Sequence, residues 1–519
     1  MTQKNSRVVE MFLDLVRINT RSKQGVEEHP STPGQLEAIS WIREHMEGLG
    51  YACQQFDWGT LMVTIPASAG CTGMAPIAWA AHVDTHYAIS GDVTPVIYNY
   101  VEGDLELCHD GVVIQHSRSP CLQKLAADGG GEVIASDGTS LLGADDKAGC
   151  AAMLKLAYSL AEDGNNEHPE VLLFFCTDEE VGQFGGDLPE EVMNRLAVFN
   201  TLDGITLGTI DIGSARIERR IINASSLRQE QEQPLRVTVI FTGKSAHPGP
   251  YPDSYRPALA AACHLAALVA EQVEETVAIN EISGSAASAK LVLGTSVDFQ
   301  GQLNQLVMEL LQDHAQVTFS KRVKAGGRIA HFPHLISIAK LVHIIQVAYP
   351  VQSYRGPAGD GYIVAADLKA EGDGHTLICG VASTSPPGFL DMVEEVDGTI
   401  VAVMETMPEC VRIDVDDVVI CASVTDAIDR NPRVINPLLR ALEQVIIPPK
   451  QQAIAGGTDG GMLNLRFPDL PCPNIGTGTE MMHDPMEHIG LHDLERLAEF
   501  VVWATHYYAE MDEAHGCGG

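Results

Sequence analysis

The 519-residue sequence has few aromatic residues and no long uninterrupted apolar run. Aromatic residues make up 6% of the chain and apolar residues 45%, which is typical of a globular protein rich in alanine and valine. Polar residues at helical spacing interrupt the apolar stretches at residues 258–270 and 335–351, which argues against a membrane span. The N-terminal stretch lacks the apolar core of a secretory signal, so we predict a cytoplasmic protein.

Paired cysteine motifs are also missing, because none of the twelve cysteines forms a CxxC pair. Several of them, including Cys150, Cys176 and Cys263, lie in apolar runs. This pattern indicates buried thiols in a reducing compartment, and it argues against a disulfide framework or a structural zinc ribbon.

Positive charge is scarce, and the net charge is −36. Such an excess of carboxylates argues against nucleic acid or an anionic membrane as a partner. Solubility or a salty habitat explains the excess most simply. A weaker functional interpretation is that the carboxylates concentrate cationic substrates.

Helical and strand-like patterns alternate in the first part of the chain. Helical spacing at residues 8–16 and 35–49 is followed by short apolar runs at residues 61–65, 77–83, 171–177 and 197–202. An alanine-rich helix is predicted at residues 148–161, between the second and third runs. The alternation predicts an α/β domain with a mostly parallel sheet flanked by helices.

The pattern changes near residue 222, where a charged stretch precedes a predicted strand at residues 237–242 and a long alanine-rich helix. The tail of this region, VRIDVDDVVICASV, alternates like an edge strand, and the α/β pattern returns after Asn431 with the loop AGGTDGGM. We therefore predict a catalytic domain in two segments, residues 1–221 and 429–519. An enlarged α+β lid or dimerisation domain is inserted at residues 222–428.

Metal-type ligands follow four successive predicted strands, and a fifth candidate follows a later one. They are His82 with Asp84, Asp145 with Asp146, Glu179 with Glu180, Asp203, and His483. The carboxyl ends of parallel strands share one rim of a sheet, so we expect these side chains to converge. Histidine and carboxylate ligands without cysteine suit zinc, cobalt or manganese.

Each of these short patterns also has a simpler interpretation. A strand-end HxD is more often a capped turn, and an Asp-Asp pair before a helix is commonly an N-terminal cap. Paired glutamates are usually solvated, and a single histidine such as His483 is often an ordinary surface residue. Four successive strand ends with metal-type ligands would nevertheless be a poor coincidence.

Eight short strings make the pattern specific. They are PSTPGQ, GTLMVTIPA, AHVDT, SLLGADDKAG, CTDEEVG, AHPG, GGTDGGMLNL and LPCPNI. Their order and spacing resemble the peptidase T group of the zinc-dependent exopeptidase family, which includes carboxypeptidase G and aminoacylase. The resemblance covers residues 1–203, the surroundings of His247, and residues 431–510.

The resemblance implies two zinc ions per chain, with cobalt or manganese as alternatives. It assigns five ligands: His82 and Asp203 for one ion, Glu180 and His483 for the other, and Asp145 as the bridge between them. It also implies a cis peptide bond between Asp145 and Asp146.

Three further roles follow from the same resemblance. Asp84 would orient His82, and Glu179 would be the general base that takes a proton from water. His247 would stabilise the oxyanion, although capping of the following helix is the simpler alternative. A homodimer through the lid domain is also implied.

The resemblance implies an aminopeptidase acting on short peptides, because carboxypeptidase relatives carry glutamate where this chain has Asp203. Two positions depart from the group: Gly380 or a neighbour of it, and Ala455, stand where relatives carry an arginine. Arginine binds a substrate carboxylate in a bidentate manner that small residues cannot replace. The tripeptide preference is therefore open, with three arginines as substitutes: Arg322, Arg328 and Arg355.

The sequence leaves two alternatives to an aminopeptidase. One is a related amide hydrolase that acts on acylated amino acids or an unusual dipeptide. The other is a catalytically inactive metal-binding module. Glu179 argues against the inactive module, since a protein that only binds metal needs no free base beside Glu180.

Overall fold

The structure is a computed structural model. It describes residues 6–162, 167–226, 229–243, 258–272, 277–285, 287–295, 302–303, 305–307, 318–348, 355–356, 359–371, 374–384, 386–408, 411–454 and 456–511. The chain divides into two compact units: unit 1 is Met1–Gly213, Ser423–Ala453 and Thr458–Gly519, and unit 2 is Ser214–Ala422 and Ile454–Gly457. None of the described helices combines the length and the apolar character that crossing a membrane requires.

The described helices are distributed along the whole chain. They are α1 (Arg7–Val16), α2 (Pro33–Gly48), α3 (Pro120–Ala127), α4 (Ala144–Glu162), α5 (Glu190–Met193), α6 (Ala258–Gln272), α7 (His334–Ala348), α8 (Pro386–Glu405), α9 (Thr425–Arg430), α10 (Asn436–Gln444), α11 (Asp459–Leu463) and α12 (Leu491–Ala509).

The described strands alternate with these helices. Those of the first part are β1 (Ala52–Gln55), β2 (Leu61–Ile65), β3 (Ile77–His82), β4 (Pro95–Tyr100), β5 (Leu105–Glu106), β6 (Val113–Ile114), β7 (Gly131–Ser136), β8 (Val171–Cys176), β9 (Val198–Gly204) and β10 (Thr209–Ser214). Those of the remainder are β11 (Arg216–Ser226), β12 (Gln229–Thr242), β13 (Val277–Ser285), β14 (Ser288–Thr295), β15 (Thr318–His331), β16 (Arg355–Gly356), β17 (Gly359–Glu371), β18 (Gly374–Ser383), β19 (Val411–Cys421), β20 (Lys450–Ile454), β21 (Asn474–Gly476) and β22 (His488–Gly490).

An eight-stranded sheet forms the centre of unit 1, in the order β1-β2-β8-β3-β9-β21-β10-β20. The four central strands, β8, β3, β9 and β21, are parallel, while β1, β2 and β10 pair in antiparallel fashion. The parallel core buries nearly every side chain of β3 and β8, which explains their continuous apolar sequences. The carboxyl ends of β3, β8 and β9 consequently lie at the same edge of the sheet.

Helix α4 packs tightly against this sheet. Asp145 and Asp146, at its start, have non-helical dihedral angles, so the regular helix begins at Lys147. At Gly149 a Cβ atom would lie 2.8 Å from Cβ of Leu202 and 3.0 Å from Cβ of Ala81, so glycine permits the close approach of helix and sheet. Helices α1 and α12 pack against α4 and share its hydrophobic core.

A smaller antiparallel sheet, in the order β22-β7-β4, brings the C-terminal part of the chain close to α4 in unit 1. β22 begins at His488, just after the segment that carries His483. A backbone bridge between Glu480 and His488 closes this segment into a loop.

Unit 2 contains an antiparallel sheet in the order β15-β12-β14-β13-β17-β18-β11-β19, with the short β16 beside β17. Helices α6, α7 and α8 share one hydrophobic core with it. The predicted edge strand is β19, and it lies at one end of the sheet. The ten cysteines among the described residues are all free thiols, and eight of them are buried, the exceptions being Cys53 and Cys108.

Candidate metal centre

The carboxylate of Asp145 lies between two histidines from opposite parts of the chain. Its Oδ1 is 3.1 Å from Nε2 of His82, and its Oδ2 is 3.1 Å from Nε2 of His483. The cis peptide bond between Asp145 and Asp146 is present, as the resemblance implied. Asp145 therefore has the position of a carboxylate that could contact two neighbouring cations, one through each oxygen.

His82 is fully buried at the carboxyl end of β3. Its Nδ1 lies 3.0 Å from the backbone oxygen of Asp84 and 3.5 Å from the Asp84 carboxylate. Its Nε2 lies 3.6 Å from the carboxylate of Asp203 as well as close to Asp145. Contacts at Nδ1 fix the orientation of the ring and leave Nε2 directed at the two aspartates.

Asp84 also organises the turn that carries the two glutamates. Its Oδ1 accepts the backbone N–H of Glu179 and its Oδ2 accepts that of Glu180, each at 3.1 Å. The side chain of Glu180 lies 3.0 Å from Nε2 of His483, while that of Glu179 approaches His82 at 3.8 Å. One buried aspartate thus positions both glutamates and contacts His82.

The residue before these glutamates, Asp178, has a left-handed backbone with φ of 59°. Its carboxylate accepts hydrogen bonds from the backbone and hydroxyl of Ser31 and from the side-chain amide of Gln35. The side chain of Gln35 in turn accepts the N–H of Asp178 at 3.0 Å. These contacts stabilise an uncommon conformation and give the PSTPGQ string a structural role.

Asp203, near the end of β9, is held from the neighbouring strand β21. Its backbone N–H donates to the side-chain oxygen of Asn474, which also accepts the hydroxyl of Thr201. The amide of Asn474 donates to Asp211, a buried carboxylate whose other oxygen accepts from Gln452. Burial raises the pKa of Asp211 to about 6, with partial compensation by these two hydrogen bonds.

His483 lies on the loop closed by Glu480 and His488 and has a left-handed φ of 62°. Its ring stacks on that of His86, with a centroid separation of 4.1 Å and an angle of 13°. Glu487, in the same loop, accepts the N–H of Asp145 at 2.9 Å. The loop therefore positions His483 and the backbone of Asp145 together.

The ionisable side chains at this site shift one another's pKa values. Burial would raise the pKa of Asp145, but its contacts with His483 and His82 hold it well below its usual range. Burial would lower the pKa of His483, but hydrogen bonds to Asp145 and Glu180 raise it to about 11. Burial raises the pKa of Glu180 to about 8 and that of Asp203 well above its usual range. A cation bound among these groups would displace their protons, so metal binding would be coupled to proton release.

Four contributors were not among the residues predicted from the sequence: His86, Asp459, Asn474 and Glu487. Asp459 is buried, and one of its oxygens lies within 4.8 Å of carboxylate oxygens of both Glu179 and Asp203. Weak signals for all four were present. Asp459 and Asn474 lie in GGTDGGMLNL and LPCPNI, while His86 and Glu487 each follow a predicted ligand by four positions.

The remaining residues singled out from the sequence lie outside the described residues or are not part of this cluster of side chains. His247 and Ala455 fall outside the described residues, and so do the side chains of Arg328 and Arg355. Gly380 lies in β18 of unit 2, directly opposite the exposed Arg219 of β11. Arg322 is exposed in β15.

The separations among the clustered side chains suit divalent cations. Two ligands about 2.05 Å from one tetrahedral zinc ion lie about 3.3 Å apart. The nitrogen–oxygen distances from His82 to Asp145 and Asp203, and from His483 to Asp145 and Glu180, range from 3.0 to 3.6 Å. Nitrogen and carboxylate donors are also the ligands that catalytic zinc favours.

Comparison with known proteins identifies the family. The model of peptidase family M20/M25/M40 matches residues 142–505. "Peptidase T" of Salmonella arizonae is 26% identical over 501 residues, which are 96% of this chain and 97% of the relative. This confirms the resemblance to peptidase T.

Solved structures show the same fold. A tripeptidase from Staphylococcus aureus aligns with a TM-score of 0.56 at 16% identity, over 97% of this chain and 98% of its own. An aminoacylhistidine dipeptidase from Vibrio alginolyticus aligns with a TM-score of 0.57 at 13% identity, over 97% of both chains. The predicted α/β zinc-exopeptidase fold is confirmed, with an antiparallel flank added to its parallel centre. The chain belongs to peptidase family M20/M25/M40 and is a metallopeptidase that hydrolyses peptide bonds.

Proposed function

We propose that the protein is a two-metal aminopeptidase that releases the N-terminal residue of short peptides. One observation carries the proposal: Asp145 places one carboxylate oxygen 3.1 Å from His82 and the other 3.1 Å from His483. A bridging carboxylate of this kind is the central element of a two-metal hydrolase site. Unit 1 is then the catalytic domain and unit 2 the lid.

The ligands divide into two sets that share the bridge. His82 and Asp203 would hold one ion, Glu180 and His483 would hold the other, and Asp145 would belong to both sets. Zinc is the proposed metal, with cobalt or manganese as alternatives, because every ligand is an imidazole or a carboxylate. Asp84 contacts the first set through His82 and the second through the backbone of Glu180.

The chemistry requires a base close to both sets. Two cations held by these residues would lower the pKa of a water molecule and polarise the carbonyl of the scissile bond. Glu179 accepts the proton of that water and transfers it to the leaving amine. Its neighbours support this role, because burial, together with the charges of Asp84 and Asp145, raises the pKa of Glu179 and makes it a better proton acceptor.

The proposed substrate class rests on Asp203 and on the resemblance to the peptidase T group. Asp203 in place of glutamate favours the aminopeptidases of the family, and short peptides are the substrates that the resemblance to the peptidase T group implies. His247 remains the proposed oxyanion-stabilising residue, and a homodimer through unit 2 remains part of the proposal. Gly380 favours a second candidate function, hydrolysis of acylated amino acids or an unusual dipeptide, because the expected carboxylate-binding arginine is replaced there.

The test combines metal content with hydrolysis. Elemental analysis of the wild type and of Asp145→Ala, with trialanine hydrolysis measured on the same samples, should give about two metals per wild-type chain. Both metal and activity should be lost in the variant. Wild-type protein that takes up no zinc on reconstitution and hydrolyses no peptide would overturn the proposal. Cleavage of N-acetylalanine but not of trialanine would favour the second function.

A further inference from the structure

Three carboxylates meet beside the proposed metal ligands. Glu179, Asp203 and Asp459 each contribute one oxygen, and these oxygens lie within 4.8 Å of one another. The side chains of Glu179 and Asp203 are 21% and 24% exposed, whereas Asp459 is only 2% exposed. The cluster is therefore accessible on one side and closed by Asp459 on the other.

Asp459 has no hydrogen-bond donor of its own. Within the described part of the chain, no N–H or hydroxyl group donates to either of its buried oxygens. A buried carboxylate without a donor is costly, and buried polar groups are nearly always paired. Two further carboxylates at short range increase that cost. His82 lies 3.8 Å from Glu179 and 3.6 Å from Asp203, but Asp459 has no such contact among the described residues.

The backbone holds Asp459 firmly in this position. Thr458 caps the first turn of α11 by accepting the N–H of Gly461 at 3.1 Å. At Gly460 a Cβ atom would lie 2.4 Å from Cβ of Cys472 and 2.8 Å from its backbone oxygen, so the helix start is packed directly against that residue. The carboxylate is thus placed before any ligand arrives.

We propose that these three carboxylates bind the α-ammonium group of the peptide substrate and that Asp459 is the specificity-determining residue. This inference rests on the proposed aminopeptidase function. An ammonium group donates three hydrogen bonds. Three acceptors about 2.9 Å from its nitrogen, at tetrahedral angles, lie about 4.7 Å apart. The three carboxylate oxygens lie within 4.8 Å of one another, so they are close enough for one ammonium group to contact all three.

The position of the cluster also fits the covalent geometry of a peptide. The amino nitrogen of an N-terminal residue is two bonds, or about 2.5 Å, from the carbonyl carbon of the scissile bond. The base that serves that carbonyl must therefore lie close to the ammonium site. Glu179 meets both requirements, since it is the proposed base and a member of the cluster.

A matched pair of substrates tests the role of Asp459. Trialanine and propanoyl-Ala-Ala differ only in the ammonium group, and the variants are Asp459→Asn and the control Asp469→Asn, whose side chain is 88% exposed. Wild type and control should prefer trialanine by more than about tenfold in kcat/KM. Asp459→Asn should lose at least about tenfold on trialanine and little on propanoyl-Ala-Ala. An equal loss on both substrates, or a wild type without preference, would overturn the inference.

An equilibrium measurement separates this inference from the proposed function. Calorimetric titration of the zinc-loaded protein with L-alanine and with propanoate again compares ligands that differ in the ammonium group. Wild type should bind L-alanine at least about tenfold more tightly than propanoate, and Asp459→Asn should not distinguish them. A wild type that cleaves no peptide refutes the aminopeptidase, while this titration still decides the ammonium site. Three metals per wild-type chain and two in Asp459→Asn would show a third metal site and overturn the inference.

Discussion

The carboxylate of Glu487 accepts the backbone N–H of Asp145 at 2.9 Å, across 342 positions of sequence. Its other oxygen accepts the N–H groups of Leu142 and Gly143, also at 2.9 Å. Because Glu487 shares a loop with His483, the proposed bridge and one proposed terminal ligand are positioned by the same short segment. Glu487 is therefore a positioning residue for both proposed metal sites.

Glu487→Gln should weaken metal binding. Glutamine offers one acceptor oxygen in place of two, so at least one N–H of the 142–145 turn loses its partner and Asp145 is less well oriented. Loss of such supporting contacts typically costs ten- to 100-fold in metal affinity. Competition with a zinc-binding dye measures the change, and Glu47→Gln, at an exposed residue paired with Arg43, is the control. Equal zinc affinity in all three proteins would contradict the positioning role.

Removal of metal should destabilise unit 1. A ligand present at 100 times its Kd stabilises the folded state by about 2.7 kcal/mol, so chelation should lower the melting temperature by roughly 5 °C or more. The four tryptophans, Trp41, Trp58, Trp79 and Trp503, all lie in unit 1, so tryptophan fluorescence reports on this unit. Zinc should restore the transition. A melting temperature that is insensitive to chelator and zinc would argue against the site.

Asp211→Asn should change how stability depends on pH. The folded pKa of about 6 exceeds the reference value of 3.8, so the folded state holds the proton longer and wild-type stability falls as pH rises through this window. Asparagine cannot ionise, so the variant does not lose stability through this group as pH rises. Its unfolding free energy relative to wild type should be higher at pH 7.5 than at pH 5 by about 1.4 kcal/mol.

Denaturant titration of metal-free protein measures the effect of Asp211→Asn. Gln452→Ala is a useful counterpart, because it removes a hydrogen bond that partly offsets the raised pKa of Asp211 and should steepen the pH dependence. A difference between Asp211→Asn and wild type that does not vary with pH would refute the assignment.

Amidation of the substrate should have little effect on hydrolysis. Gly380 cannot supply the bidentate contact that an arginine makes with a terminal carboxylate. Trialanine and trialanine amide should therefore differ by less than about threefold in kcat/KM. A loss of more than about tenfold on the amide would show that another cation has taken over carboxylate recognition, with Arg322→Ala as the first variant to examine.

The sequence predicted the elements whose apolar patterns were continuous. The run at residues 61–65 coincides with β2, and α1 and α2 were placed within a few residues because their apolar faces are regular. Helix α11 was predicted as a loop, since its five residues are glycine-rich and too few for periodicity, and its start depends on the cap by Thr458. The first half of β12 was missed because Gln229–Gln233 is polar and owes its extended form to pairing with β15.

In the candidate site too, some features could be predicted from the sequence and others depend on distant contacts. The convergence of His82, Glu180 and Asp203 followed from one topological rule, that parallel strands end at a common edge. Asp145 reaches them by another route, because it begins α4 after β7, a strand of the smaller antiparallel sheet. The roles of Glu487 and Asp459 could not be read from local patterns. They arise from contacts with backbone or side chains more than 250 positions away, which only the folded chain reveals.

The place of β21 in the sheet has a consequence for protein synthesis. This strand lies between β9 and β10, so the first 213 residues leave a gap in the middle of the sheet until residue 476 has left the ribosome. His483 emerges later still. A nascent chain that ends before residue 483 therefore lacks one proposed ligand and cannot assemble both proposed metal sites.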